Sequence, residues 1–270
     1  MNEFLIPISC IFFLLSLVPG KHRRYTAIIA WISIVTVLIS GVPAWIEESN
    51  ILYPVMAVLS VPFLWATIRM LLRGENAAFH LTRAAGVSFL IYAPFAFYEP
   101  AGNALISIVV HQTGMFLDFF NFPYEQVLWS TIQHGRFRVE IILACTGIQA
   151  IAIMLGVAAA VPTTGRQKIM AFLLIVPPIY ILNLFRNTGV IISYTEQWFT
   201  WLPDISGSPE EIGYSSFFWA HNIIAEGLAL LFLIILAYGL FRLIPALAYF
   251  AADLVDAYRQ EIMNIAGKGT

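Results

Sequence analysis

The chain has 270 residues, 60% hydrophobic and 11% charged, with a formal net charge of −2. Soluble domains carry roughly 25% charged residues, so this composition excludes an ordinary soluble fold and points to an integral membrane protein; the mean hydropathy of +0.81 agrees. The absence of a basic patch argues against a nucleic-acid partner, and two cysteines, Cys10 and Cys145, argue against a disulfide framework or a cysteine-rich metal site.

Apolar runs long enough to be read as membrane helices occur at about 4–19, 26–45, 51–72, 79–98, 140–161, 168–192 and 217–244. The first lacks the basic leader of a cleaved signal peptide and is read as a retained span. The fold class is therefore an all-α integral membrane protein, a bundle of about seven transmembrane helices in one polytopic domain over 1–270. Its parts are an N-terminal four-helix part at 1–98, an outer-face segment at 99–139, a three-helix part at 140–244 and a tail at 245–270. Within the outer-face segment, 101–120 reads as a re-entrant or interfacial element, and FLDFFNFPYEQVLW has the aromatic content of a membrane–water interface. The Pro177–Pro178 pair predicts a kink in the sixth span, and the tail predicts a cytoplasmic helical end that frays.

Basic residues set the orientation. Lys21, Arg23, Arg24, Arg69, Arg73, Arg83, Arg166, Lys168, Arg242, Arg259 and Lys268, eleven of the fourteen, fall in alternate connections and the tail. That pattern predicts a cell-membrane protein with the N-terminus outside and the C-terminus in the cytoplasm. The sixth connection has no Lys or Arg but carries Glu196, Asp204, Glu210 and Glu211, read as a solvated acidic loop.

Three polar anomalies then converge near the outer face: Cys145 in ACTGIQA, Arg186 in LNLFRNTGVI and His221 in WAHNIIAE. Ionisable side chains inside a span are costly, at roughly 2.5–3.5 kcal/mol for an arginine on the lenient scale, so each needs a reason. A buried cysteine is usually a small packing residue, and Cys10 is read that way. Cys145 differs in having Thr146, Gly147 and Gln149 around it, Gln149 lying one helical turn on, on the same face. A thiol becomes a strong nucleophile when positive charge stabilises its thiolate, and Arg186 and His221 are the candidates at that depth. Asn183 and Asn187 flank Arg186 in a polar cluster, and Asn222 and Glu226 follow His221; Glu226, at i+5, reads as off the histidine's face and tied to a structural partner. The other histidines have no metal-ligand spacing, so neither a catalytic metal nor another cofactor is implied.

These three motifs, in this order on three late spans, resemble those of the exosortase/archaeosortase family. The resemblance implies a membrane-embedded cysteine transpeptidase, sortase-like in chemistry but not in fold. Its substrates would be surface proteins that end in a short motif, a transmembrane signal segment and a basic end. In archaeosortases the motif is Pro-Gly-Phe and the new C-terminus passes to a membrane lipid. The catalytic residues implied are Cys145, Arg186 and His221. Two other readings stay open: an intramembrane cysteine protease that only hydrolyses, and an anion transporter using Arg186. A retinal-type receptor is disfavoured because the seventh span has no lysine.

Overall fold

Helix dominates the architecture, as hydrophobicity without charge requires of a chain that must satisfy its backbone inside a bilayer. The structure, a computed structural model, describes residues 2–43, 52–204 and 213–265. The EESN connection at 47–50, Glu210, Glu211 and Lys268 lie outside the described residues. The elements are α1 (Asn2–Ser16), α2 (Arg23–Ser40), α3 (Leu52–Arg73), α4 (Asn76–Phe97), α5 (Glu99–Phe119), β1 (Glu125–Leu128), β2 (Thr131–His134), β3 (Phe137–Glu140), a 3-10 turn (Leu143–Thr146), α6 (Ile148–Ala158), α7 (Gly165–Thr195), α8 (Tyr214–Phe218), a π-helical segment (Trp219–Ala225), α9 (Glu226–Leu243) and α10 (Ala246–Ile265).

Among the described residues, four helical stretches are long and apolar enough to cross a membrane: Arg23–Ser40, Pro54–Arg73, Gly165–Thr195 and Tyr214–Leu243. Leu5–Ser16 and Ile148–Ala158 are apolar but shorter. The all-α expectation is corrected in one place, because the aromatic segment after α5 forms a three-stranded antiparallel sheet in the order β1-β2-β3. The 101–120 stretch, read as a re-entrant or interfacial element, falls almost wholly in α5, one unbroken helix of 21 residues. The Pro177–Pro178 pair does not end α7, which runs for 31 residues through both prolines.

The chain divides into two units. Unit 1 comprises Met1–Ile91, Ala152–Ile169 and Phe241–Thr270. Small residues let its helices approach, as is usual where lipid removes the hydrophobic drive for helix association. Ala27, Ala30 and Ser33 are buried on α2, and Ser9 Oγ donates to the Ala30 carbonyl at 3.1 Å. A Cβ at Gly156 would stand 2.0 Å from Ser88 Oγ and 2.5 Å from the Ala84 carbonyl oxygen, so only glycine fits. Phe13 is fully buried, stacked on Phe89 at 5.1 Å and edge-on to Trp31 at 5.1 Å. Cys10 is a buried packing residue.

The tail is not a fraying end within its described part. Helix α10 puts Glu261, 2% exposed, between Arg69 and Arg73 of α3. Tyr258 stacks on Phe63 at 5.3 Å and hydrogen-bonds to the Thr67 hydroxyl. Ion pairing and ring stacking thus hold a helix that hydropathy alone left unanchored.

Unit 2 comprises Tyr92–Ile151 and Met170–Leu240. Its core joins Ile106, Val109, Val110 and Leu117 of α5 to Ile132 and Ile141 of the sheet region and to Leu184 and Ile191 of α7. Phe116 and Phe185 meet edge-to-face at 5.1 Å, and Tyr180 donates its hydroxyl to Gln112 Oε1. The sheet is tied to the C-terminal end of α7 and the residue that follows it by His134 Nε2 to Glu196 Oε1 at 3.0 Å and by the Phe137–Tyr194 ring contact. The candidate site lies entirely in this unit.

Candidate active site

Cys145 sits on a turn. Strand β3 ends at Glu140, the Ile141 N–H donates to the Ser130 carbonyl at 2.8 Å, and the chain then tightens into the 3-10 turn Leu143–Thr146. Gly147 follows with φ +78°, a left-handed conformation that glycine adopts freely, and α6 begins one residue later. The expectation of a helix from Glu140 is therefore wrong at its start. A Cβ at Gly147 would also lie 3.3 Å from Asn183 Cβ and Cγ, so glycine is required by conformation and by contact.

Thr146 is buried and serves the turn, its hydroxyl donating to the Leu143 carbonyl at 2.7 Å and accepting from the Ile148 N–H at 3.4 Å. Gln149 does not share a helix face with Cys145, because the 3-10 turn and Gly147 come between them. It is exposed instead, and its Nε2 donates to the Tyr92 hydroxyl at 3.1 Å.

Two asparagines clamp the cysteine's backbone. Asn183 Nδ2 and Asn187 Nδ2 both donate to the Cys145 carbonyl oxygen, at 2.7 and 2.8 Å. Residues four apart on a helix face the same way, and a carbonyl oxygen has two lone pairs to offer. Both asparagines are buried, at 9% and 6% exposure, so this carbonyl is where their amide donors are satisfied. Arg186 lies between them in sequence and is half-buried. Its Nη2 stands 3.1 Å from His221 Nε2, and among the described residues no carboxylate pairs with it.

His221 lies in the π-helical segment, a form that occurs mostly as short insertions, often at functional sites. Its Nδ1 is 2.7 Å from Asn222 Oδ1, and its ring stacks on Phe217 at 5.0 Å. An amide oxygen only accepts and a guanidinium only donates, so the ring carries its proton on Nδ1 and accepts at Nε2. The π segment also corrects the reading of Glu226: its N–H bonds to the His221 carbonyl, five residues back, so position i+5 comes round towards the histidine's face. Glu226 is exposed and has no structural partner of the kind expected of it among the described residues.

A cavity of about 600 Å3 opens beside these groups. Its wall is largely apolar, from α7 and α9, with Asn183, Arg186, Gln149 and Glu226 as polar points and Ala144 and Gly147 from the cysteine turn at one edge. The structure thus joins Arg186 to His221 directly and links Cys145 to the same stretch of α7 through Asn183 and Asn187. Tyr92 and the left-handed backbone at Gly147 were missed in the sequence. The asparagine pair at i and i+4 around Arg186 was the signal that the α7 face had a polar partner.

A sequence model of the transmembrane exosortase family matches residues 1–208. The chain belongs to that family. Cys145 and Arg186 fall inside the matched region and His221 beyond it. Among curated proteins, the exosortase-family chain is 26% identical to archaeosortase A of Haloferax volcanii over 264 residues, which covers 87% of this chain and 86% of that protein. It is 30% identical to archaeosortase A of Natronomonas pharaonis over 255 residues, covering 87% and 80%. No solved structure matches the chain.

Proposed function

We propose that this chain is a membrane-embedded, sortase-like enzyme that processes surface proteins at a C-terminal signal, with Cys145 as nucleophile. The observation that carries the reading is the paired clamp of Asn183 and Asn187 on the Cys145 carbonyl, either side of the arginine that bonds His221. Similarity to two archaeosortases A over most of the chain supports the substrate class.

In this mechanism His221 Nε2 takes the Cys145 thiol proton and sulfur attacks the scissile carbonyl carbon. Arg186 donates to the developing oxyanion. The C–N bond breaks, the proton returns to the leaving amine from His221, and a thioester remains on Cys145. A hydroxyl or amine of a membrane lipid head group attacks that thioester, releasing the thiol and joining the new C-terminus to the lipid. Asn183, Asn187 and Thr146 hold the turn, Asn222 fixes the histidine tautomer, and Gln149 and Glu226 border the cavity that receives substrate.

The proposed topology is a single polytopic domain of seven spans, namely the four long apolar helices, the shorter apolar α1 and α6, and α4, with the N-terminus outside. At 1.5 Å per residue, 11-residue α6 covers about 16 Å of a hydrocarbon core roughly 30 Å thick. Cys145, just before its first residue, then faces the outer side, the side from which a scissile bond just before a transmembrane segment would approach.

Mass spectrometry of a surface protein's C-terminus, from cells with and without this enzyme, tests the function. A truncated C-terminus bearing lipid supports transfer, a truncated C-terminus bearing only a carboxylate identifies a hydrolase, and an intact C-terminus in both strains contradicts processing. For topology, an impermeant maleimide on intact cells should label a cysteine placed in the 196–204 segment of a Cys-free variant; labelling only after permeabilisation contradicts the orientation.

A further inference from the structure

Unit 1 holds a second cavity, of about 360 Å3, that shares no residue with the candidate active site. Two connections build it. The α1–α2 connection contributes Lys21 and the first turn of α2 Arg23 and Arg24; the end of α3 contributes Arg73, with Leu71, Leu72 and Phe79 as an apolar wall. The volume lies in the range of small-molecule sites, roughly 300–1,000 Å3.

Its cations are positioned but largely uncompensated. Arg23 Nε donates to the Ser16 carbonyl at 3.1 Å, and its guanidinium carbon stands 4.7 Å from the Phe79 ring centre. Arg24 Nη1 reaches the Leu72 carbonyl at 3.4 Å. Arg73 is engaged by Glu75 and Glu261. Among the described residues no carboxylate pairs with Lys21, Arg23 or Arg24, and Arg83 adds like-charge repulsion at Arg23. Helix α2 starts at this cavity with no acidic residue in its first turn and no side-chain cap on His22, so its dipole adds positive potential there. Three guanidinium or ammonium groups gathered without counter-charge beside an apolar wall describe a place for an anion with a greasy attachment.

The geometry points to a binding site for a phosphate group, held by Lys21, Arg23 and Arg24 against the wall of Leu71, Leu72 and Phe79. An anionic lipid head group and a soluble phosphate ester share that chemistry. Basic pockets between membrane helices on the cytoplasmic side take anionic head groups, and the proposed orientation puts both connections on that side. Binding itself does not depend on that orientation or on the proposed catalysis.

The test is native mass spectrometry and a binding titration on the purified full chain in a neutral detergent, with phosphatidylglycerol, phosphatidylcholine and glycerol 3-phosphate as separate probes. Phosphatidylglycerol should be retained, and Lys21→Gln/Arg24→Gln should bind it about 30-fold more weakly, on the order of fivefold per cationic residue. The charge-matched control Arg166→Gln/Lys168→Gln should bind normally. Should the double variant fail to fold, Lys21→Gln alone, on an exposed side chain, should still weaken binding about fivefold. Glycerol 3-phosphate binding as tightly as the lipid, with the same loss in the variant, supports the phosphate site and identifies a soluble occupant. Equal retention of phosphatidylglycerol and phosphatidylcholine, or equal loss in both double variants, overturns the proposal.

Discussion

Arg186 Nη2 donates to His221 Nε2 across 3.1 Å, and the same imidazole holds its proton on Nδ1 against Asn222 Oδ1 at 2.7 Å. The nitrogen that would receive a thiol proton is therefore capped by the guanidinium. Under the proposed mechanism, an oxyanion that draws Arg186 towards it also frees Nε2, so one side-chain movement couples oxyanion binding to base function. Arg186→Lys keeps the charge but loses the planar donor fork. Its turnover should fall by about 10²–10³, the usual cost of a lost oxyanion donor. His221→Ala should slow acylation by on the order of 10²–10⁴ and regain part of the rate as pH rises and hydroxide replaces the base. Single-turnover cleavage of a signal peptide across pH reads both, and near-normal turnover of Arg186→Lys contradicts the oxyanion role.

The asparagine clamp should show itself in kcat. Removing one amide leaves the other on the Cys145 carbonyl, and the stability loss should be about 1 kcal/mol, a single neutral hydrogen bond. Asn183→Ala/Asn187→Ala together free the turn, and a misplacement of about 1 Å is enough to cost on the order of 10² in rate. KM should stay near wild type, because neither amide is assigned to substrate. A rise in KM with unchanged kcat would show that the asparagines bind substrate instead. Gly147→Ala should mimic the double variant, since its Cβ meets Asn183 at 3.3 Å in a left-handed backbone.

The docking of α10 has a pH signature. Burial pushes the Tyr258 hydroxyl up to about 12, partly offset by its hydrogen bond to Thr67. A tyrosine in the unfolded chain ionises near 10. The contribution is thus complete below pH 10 and lost as pH rises from about 10 to about 12, amounting to about 2–3 kcal/mol. Tyr258→Phe cannot ionise there. Unfolding of the purified protein followed between pH 9 and 12 should show a shallower loss in Tyr258→Phe than in wild type; parallel curves would mean that α10 is not docked through this residue.

Hydropathy made the membrane class legible, because an apolar run without charge has few alternatives. The three motif residues were legible for the same reason: Cys145, Arg186 and His221 stand out against apolar surroundings. What escaped was backbone geometry set by tertiary contact. The strands β1–β3 are four residues each, too short for an alternating pattern to separate from an aromatic loop. The 3-10 turn under Cys145 depends on Gly147 meeting Asn183, a contact between segments far apart in sequence. The π segment at His221 has no sequence signature of its own, so the 3.6-residue period misplaced Glu226. Helix α10 reads as a loose tail until Glu261 finds Arg69 and Arg73 on another helix.

The central claim is that Cys145 forms a thioester with the substrate. Purified wild-type enzyme, rapidly quenched with a signal peptide carrying Pro-Gly-Phe before its apolar segment, should gain the mass of the peptide's N-terminal fragment. That mass should map to Cys145, vanish on hydroxylamine treatment, and be absent from Cys145→Ala. Processing without any trapped adduct, together with full activity in Cys145→Ser, would contradict the account.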